Sequence, residues 1–206
     1  MKKNQHIISH LVTKRSGSVW VGNMVRSWCP EAQFTNYENV SPIDFCNVVK
    51  SGVVILQTRD LLNWYASYIF SKRKKTTASA NICLSWMAIA SEFYIPVYLK
   101  DHKVVHVMYD DFFKSQDYRK DVCAQLNGVY SEEKLQVMGH GAGGSSFTKM
   151  EMDGRAQSMP VLERYRMVDP SLYVGLFNMY PSLLKFYKRR MMDDDKREFL
   201  ISIGVM

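Results

Sequence analysis

The sequence predicts a single-domain α/β protein in which helices cover both faces of a central, mainly parallel β-sheet. Three apolar runs of strand length, residues 7–13, 52–58 and 104–109, are each followed by a segment of helical pattern. Strands that alternate with helices are joined by crossovers, which favour a parallel sheet buried on both sides in a three-layer α/β/α arrangement. The 206 residues, of which 47% are hydrophobic and 23% charged, suit one domain spanning 1–206.

The elements follow one another in a regular order. Ser41 is a candidate N-cap of a short helix because Pro42, which lacks an N–H, stands at the first helical position. Thr76 or Thr77 is expected to cap a long helix with apolar residues at helical spacing. The predicted order is strand 7–13, helix 19–28, an extended piece at 34–36, helix 42–50, strand 52–58, helix 61–72, a helix ending at residue 94, strand 104–109, helix 115–126, a helical segment at 159–167 and aromatic helices within 170–206.

Charge and cysteine content narrow the possible partners. The net charge of +7 suits an anionic cofactor, although it suits nucleic acid or an acidic membrane equally well. The four cysteines form no CxxC pair, so no metal site is expected. Residues 1–6 are polar and no apolar run has transmembrane length, which predicts a soluble, cytoplasmic protein without a membrane span.

The segment between the first strand and the first helix carries the strongest functional signal. It reads Lys14-Arg15-Ser16-Gly17-Ser18, after an apolar run and before an amphipathic segment that starts at Val19. Such a loop directs several backbone N–H groups towards one point, and the helix start adds positive partial charge. Because full positive charges stand beside it, the loop predicts a bound phosphate or sulfate.

A second candidate anion site follows the next buried strand. Arg59 ends that strand, and Ser67 lies eight positions later, about two turns into the next helix. A guanidinium offers a bidentate fork to phosphate, and a serine hydroxyl adds a donor. The ligands of parallel sheets bind beyond the carboxyl ends of the strands, which is where both candidate sites fall.

Both motifs resemble those of sulfotransferases that use 3′-phosphoadenosine 5′-phosphosulfate (PAPS). Their first loop commonly reads Lys/Arg-Ser-Gly-Ser/Thr-Ser/Thr followed by Trp, Phe or Leu; here Val19 replaces the second hydroxyl and Trp20 follows. The continuation Val21-Gly22 is similar to the carbohydrate-sulfotransferase branch. Their second signature is a strand ending in Arg-Asp/Asn, usually followed by Pro, with a Ser eight positions after the Arg. Arg59 and Ser67 match it in type and spacing, and Leu61 stands where Pro is usual.

The resemblance implies a P-loop NTPase-like sulfotransferase fold, with PAPS as donor, adenosine 3′,5′-bisphosphate (PAP) as product and no metal. It implies that Arg15, with Lys14 beside it, neutralises charge on the transferred group. The residues it implies for binding the 5′-phosphosulfate are Arg15, Ser16, Gly17, Ser18, Val19 and Trp20, and those for the 3′-phosphate are Arg59 and Ser67.

A glycine-rich stretch at 139–158 is expected to be a flexible loop, and in the family a late loop closes over the nucleotide. Closure of this kind excludes water from a reactive group. The candidate contacts from this loop and the segment after it are Ser145, Ser146, Arg155 and Arg164.

The residue that takes the acceptor's proton is harder to assign. Cytosolic members of the family use a histidine between the two motifs, but this chain has none between His10 and His102. Other branches use a glutamate a little over twenty residues beyond the loop, which is close to the position of Glu38. Glu31 and Asp44 are the alternatives.

Two other functions compete with sulfuryl transfer from PAPS to a hydroxyl or amine of a carbohydrate or small molecule. A P-loop-like nucleotide phosphotransferase would require the Gly-Lys-Ser/Thr of the ATP-type loop, whereas here the cations precede the glycine. A non-catalytic, basic nucleic-acid-binding module would bind with a steep salt dependence. The sequence favours a small-molecule nucleotide over nucleic acid and leaves the acceptor and the oligomeric state open.

Overall fold

The structure is a computed structural model that describes residues 6–49, 52–72, 80–137 and 151–206. In these residues four strands form one parallel sheet in the order β2-β1-β3-β4. The strands are β1 (Ile7–Val12), β2 (Gln33–Glu38), β3 (Val53–Thr58) and β4 (Lys103–Met108). The α/β architecture with a mainly parallel sheet, expected from the alternation of strands and helices, is confirmed, and every strand pair in the described residues is parallel.

Helices connect the strands and cover the sheet. Ser41 caps the second helix as predicted, because its hydroxyl accepts a hydrogen bond from the Asp44 N–H. Described helices are α1 (Ser18–Trp28), α2 (Pro42–Val48), α3 (Leu61–Lys72), α4 (Ala80–Tyr94), α5 (Tyr109–Lys114), α6 (Gln116–Gln125), α7 (Ser171–Met179), α8 (Pro181–Arg190) and α9 (Asp194–Ser202).

Three buried clusters hold the layers together. On one face of the sheet, side chains of β1, β3 and β4 pack with α1 and α6 around Trp20 and Trp28. On the other face, Leu11 and Leu56 pack with α2 and α4. A third cluster joins α3 and α4 to the C-terminal helices around Trp64 and Tyr173. The sheet is therefore covered on both faces, consistent with three layers.

Several predicted boundaries differ from the structure. Residues 159–167 were expected to be helical, but only Arg164–Met167 forms a turn of 3₁₀ helix. The reason is that Val161 and Leu162 direct their carbonyls to side chains of the β3–α3 region, and Pro160 supplies no N–H. The last predicted strand stops one residue early, because Tyr109 begins the short helix α5. The predicted caps Thr76 and Thr77 lie outside the described residues.

None of the helices within the described ranges combines the length and the apolar character that crossing a membrane requires. The four cysteines are all unbridged thiols. His10, at the centre of β1, is fully buried and hydrogen-bonded through Nε2 to Gln57, and burial lowers the pKa of its imidazole to about 4.

Candidate functional site

The loop between β1 and α1 is built around Gly17, which is the N-cap of α1. Gly17 has a φ of +80°, and a Cβ at this position would overlap the Tyr109 ring, lying 2.7 Å from Cζ and nearer still to two other ring carbons. Arg15 also has a left-handed φ of +72°. Within the described part of the chain, no acceptor lies against the backbone N–H groups of residues 17–20. The loop thus presents a group of unpaired N–H donors at the positive end of a helix.

The loop hydroxyls are engaged with neighbouring side chains. Ser16 is buried, and its Oγ lies 2.6 Å from Thr13 Oγ. Ser18 donates a hydrogen bond through Oγ to Glu38 Oε1. Gln57, from the adjacent strand β3, donates from Nε2 to the Ser16 carbonyl. These contacts fix the course of the loop, so the donors it offers to an anion are chiefly backbone N–H groups.

The second predicted site brings two arginines to one hydroxyl. Arg59 Nη1 and Arg164 Nη1 lie 3.2 Å and 3.1 Å from Ser67 Oγ. Both arginines are buried, with 1% and 5% of their surface exposed. Arg59 and Arg164, which are 105 positions apart in the chain, therefore converge on Ser67. Binding of one phosphate by all three side chains would require this arrangement.

The surroundings of Arg59 are electrostatically unusual. Its other hydrogen bonds go to the carbonyls of Arg15, 3.1 Å from Nη1, and Val161, 2.8 Å from Nη2. No carboxylate in the described residues forms an ion pair with it. Its guanidinium carbon lies 4.7 Å from the Tyr109 ring centroid, a cation–π contact. A buried charge with only neutral partners is costly and is offset well by an anion.

The burial of Arg164 and a nearby positive charge affect its pKa. Burial, and then the positive charge of Arg59, lower the pKa of the Arg164 guanidinium to about 9. An anion in contact with both guanidinium groups would remove that repulsion and raise this pKa again.

The two candidate anion sites share a boundary. The hydrogen bond from Arg59 Nη1 to the Arg15 carbonyl connects the second site to the loop of the first. Tyr109 also joins them, since its ring packs against Gly17 on one side and Arg59 on the other. The carboxyl ends of β1 and β3, which are neighbouring strands, place these groups side by side.

Glu38 lies at the carboxyl end of β2, on the other side of the loop. It is half-buried, and its hydrogen bond from Ser18 holds it against the first turn of α1. The next residue, Asn39, accepts a hydrogen bond from the Lys14 N–H at 2.9 Å. Of the carboxylates considered from sequence, Glu38 is joined to the loop, whereas Asp44 lies in the first turn of α2 and Glu31 is exposed before β2.

Other predicted site residues are placed differently. The side chains of Lys14, which is exposed, and Arg15, which is half-buried, form no hydrogen bond or ion pair with the described residues. Trp20 packs in the core and donates its indole N–H to the Leu135 carbonyl, so only its backbone faces the loop. Arg155 is exposed, and no hydrogen bond ties its side chain to the arginine pair. Ser145 and Ser146, with most of the predicted lid, lie outside the described residues.

Asp60, the residue after Arg59, links this region to the C-terminal helices. Its carboxylate accepts hydrogen bonds from the Asn63 N–H at 2.9 Å and from the Tyr187 hydroxyl at 2.6 Å. Lys196 Nζ lies 3.9 Å away. Burial, and to a smaller extent the charge of Asp110, raise the pKa of Asp60 to about 6 against the opposing effects of Lys196 and the hydrogen bonds.

Sequence reasoning missed three contributors to the site: Tyr109, Gln57 and the Val161 carbonyl. Tyr109 and Gln57 stand at or next to strand ends, a position that signals proximity to a site in a parallel sheet. No sequence signal marks a backbone carbonyl such as that of Val161, because its role depends on where a distant segment folds.

Comparisons with protein-family models, with curated proteins and with solved structures gave no significant match. The function therefore rests on the geometry of the site and on the resemblance of its motifs. In the described residues, no group of three or more His, Cys, Asp or Glu side chains is arranged to hold a metal ion.

Proposed function

We propose that the protein is a sulfotransferase that binds PAPS across the ends of β1 and β3 and transfers its sulfuryl group to a hydroxyl or amine acceptor. The observation that supports this most directly is the pair of buried guanidinium groups on Ser67, next to an anion-binding loop. One nucleotide with anionic groups at its 3′ and 5′ positions offers a negative charge to each site. Nucleotide binding, catalysis and the family itself are parts of this proposal.

The donor set suits a nucleotide of this kind. In the proposed complex, Arg59, Arg164 and Ser67 bind the 3′-phosphate through charge-assisted hydrogen bonds. The N–H groups of residues 17–20 bind the 5′-phosphosulfate. For the 3′-phosphate to reach Arg59 Nη2, the Val161 carbonyl has to give up its hydrogen bond, so binding includes a local movement of the segment around Val161.

The bound nucleotide supplies an activated sulfuryl group whose leaving phosphate gains charge during transfer. The free side chains of Lys14 and Arg15 are the cations that the loop offers to offset that charge. Glu38 is the proposed base, and it reaches the acceptor by giving up or sharing the hydrogen bond from Ser18. Holding acceptor and donor in line provides much of the remaining rate enhancement.

The test of nucleotide binding is thermal stabilisation by PAP, with Arg59→Lys and Arg119→Lys as matched variants. Both arginines are buried, but Arg119 pairs with Glu132 away from the loop. Lysine keeps the charge and loses the planar fork. PAP at 100 times its dissociation constant should stabilise the wild type by about 2.7 kcal/mol. Arg59→Lys should weaken PAP binding tenfold or more, while Arg119→Lys should leave it unchanged.

Equal loss of PAP affinity in both variants would contradict the assignment of Arg59. A preference for ATP with magnesium over PAP would favour a phosphotransferase. Steeply salt-dependent binding of nucleic acid, insensitive to Arg59→Lys, would favour a nucleic-acid-binding module. Sulfate transfer to a panel of sugars, phenols and peptides then tests catalysis, with Glu38→Ala against Glu31→Ala; only Glu38→Ala should abolish turnover while PAP binding persists.

A further inference from the structure

A second depression lies at the carboxyl ends of β3 and β4, apart from the arginine pair. It is a cleft of about 640 Å³ between the strand ends, the 3₁₀ turn at 164–167 and the helices α8 and α9. Its volume is that of a small-molecule site. Asp60 and Leu162 form its boundary with the proposed nucleotide site, because they follow Arg59 and Val161 in the chain, and Asn63 joins them by a hydrogen bond to the Leu162 carbonyl.

Most carboxylates in the cleft wall are compensated by protein groups, and the exposed Glu163 is the exception among the described residues. Asp60 accepts hydrogen bonds from Tyr187 and Asn63, and Asp110 accepts one from the Asp60 N–H at 2.8 Å. Asp111 pairs with Lys114 at 3.2 Å, and Asp193 pairs with Lys196. Glu163 and Asp195 are exposed, and Asp195 stands in the first turn of α9, where helix N–H groups favour a negative charge.

Lys114 and Lys196 are the cleft cations in these ion pairs, and four other cations of the cleft are not compensated in this way. In the described part of the chain, no carboxylate forms an ion pair with any of the four cationic side chains Arg166, Lys188, Arg189 and Arg190. They come from two elements, the 3₁₀ turn and the end of α8, which converge on the same space.

Two of these guanidinium groups lie against tyrosine rings of the cleft wall. The Arg166 guanidinium carbon is 5.0 Å from the Tyr165 ring centroid, and that of Arg190 is 5.8 Å from the Tyr94 centroid. A guanidinium has five N–H donors, so the hydrogen bond between the Arg166 and Tyr165 side chains leaves further donors for an oxyanion. The cleft therefore combines flat aromatic surface with anion-binding donors.

The 3₁₀ turn also connects the two sites. Arg164 contributes to the Ser67 cluster, and Arg166, two residues later, lines the cleft. A ligand in the cleft would thus contact the segment that has to move for the 3′-phosphate to bind.

We propose that this cleft binds the acceptor through an anionic group, a sulfate or phosphate ester, held by Arg166 and Arg190. That the ligand is the acceptor rests on the proposed function, whereas the anion site itself does not. Guanidinium groups recognise the oxyanion that sulfate and phosphate esters share, and the binding of glucose 6-sulfate and glucose 6-phosphate separates the two.

The experiment measures binding of inorganic sulfate by calorimetry at constant ionic strength, with chloride as the reference anion. It uses the full chain in the Arg59→Lys background, which weakens the anion site at Ser67. Adding Arg166→Gln and Arg190→Gln should lower the sulfate affinity tenfold or more. Arg197→Gln is the matched control, because Arg197 is exposed on α9 and does not line the cleft; its affinity should be unchanged.

Because the β1–α1 loop keeps its own donors in every variant, the deciding quantity is the change on double substitution: sulfate affinity and stoichiometry that stay the same, or sulfate binding that chloride reproduces, would overturn the cleft as an anion site. Failure of PAP to bind the wild type overturns only the proposed function, because the sulfate comparison does not use PAP. Glucose 6-sulfate and glucose 6-phosphate then identify the ester: the preferred one should bind more tightly than the free anion and lose that gain in the double variant. Equal binding of glucose and both esters would again count against the proposal.

Discussion

Two buried arginines of this protein have opposite surroundings. Arg119, in α6, donates to the Phe112 and Phe113 carbonyls and forms a 2.8 Å ion pair with Glu132. Arg59, at the end of β3, also donates to two carbonyls, but its remaining partner is the Ser67 hydroxyl, which it shares with Arg164. Both side chains are almost completely buried, at 3% and 1% exposure.

The surroundings of Arg119 and Arg59 indicate which property separates a structural from a functional guanidinium. An unpaired Nε does not separate them, because Arg119 and Arg59 both have one. The carboxylate does: Glu132 compensates Arg119 within the fold, whereas Arg59 is left to neutral acceptors. A charge that the fold does not neutralise is suited to an external anion. The Arg59 region should therefore respond to ligands, and the Arg119 region should respond to changes in the fold.

The largest expected effect comes from adding a side-chain atom at Gly17, beside the Tyr109 ring that contacts Arg59. Gly17→Ala introduces a Cβ that overlaps the Tyr109 ring at a φ of +80°. Left-handed strain of about 1 to 2 kcal/mol and overpacking of about 1 to 3 kcal/mol together predict a loss of about 3 kcal/mol in unfolding free energy, measured by urea denaturation.

Gly154→Ala is the matched control for strain without overlap. Gly154 has nearly the same φ, +82°, and a Cβ there would meet nothing within 4 Å. Its cost should stay near 1 kcal/mol. Similar losses in the two variants would mean that the Tyr109 contact does not constrain the loop.

The sequence was sufficient for the parts of the site that are local. The loop at 14–18 could be predicted because an apolar strand, a Ser-Gly-Ser turn and an amphipathic helix adjoin in the chain, and the structure places them in that order. Arg59 and Ser67 were paired by resemblance to the family's second motif, and they are close in the chain, one just before α3 and the other within it. The parallel sheet followed from alternation alone.

Long-range contacts could not be predicted in the same way. Arg164 was a candidate nucleotide contact only by resemblance, and no local pattern indicates that it reaches Ser67. The 159–167 segment was wrongly expected to be helical because its apolar spacing resembles that of a helix, while the carbonyl of Val161 finds its partner 102 positions away. The spacing of residues along the sequence also does not show that the Tyr109 ring packs against Gly17.

The second prediction compares two carboxylates, one beside each arginine. Burial raises the pKa of Asp60 to about 6, whereas a hydrogen bond from Tyr130, and then Arg119, lowers the pKa of Glu132. A raised carboxyl pKa means that the folded state binds the proton more tightly than the unfolded state, so Asp60 adds stability as the pH falls from about 6 towards 4. Glu132 acts oppositely: its stabilisation is present above its unfolded pKa and is lost as the pH falls through its lower folded value.

Chemical denaturation measures both effects, between pH 7 and pH 4 for Asp60 and in stronger acid for Glu132. For Asp60 the gain on acidification should be about 2 to 3 kcal/mol, and Asp60→Asn should remove it. Glu132→Gln should keep that gain and flatten the decline in stronger acid. A wild type and an Asp60→Asn variant with parallel pH profiles would show that Asp60 is not protonated in this range.

The smallest expected effect distinguishes the arginines themselves. Arg119→Met removes the partner of Glu132 and leaves two buried carbonyls without a donor, so it should cost about 2 kcal/mol without ligand. Arg59→Met also strands carbonyls, but it ends the repulsion with Arg164, and its cost should be nearer 1 kcal/mol. In saturating PAP the Arg59→Met protein should become the less stable of the two variants. The reason is that PAP stabilises the Arg119→Met protein, whereas the Arg59→Met protein has lost its PAP site. An unchanged order would mean that the charge of Arg59 serves the fold, as that of Arg119 does.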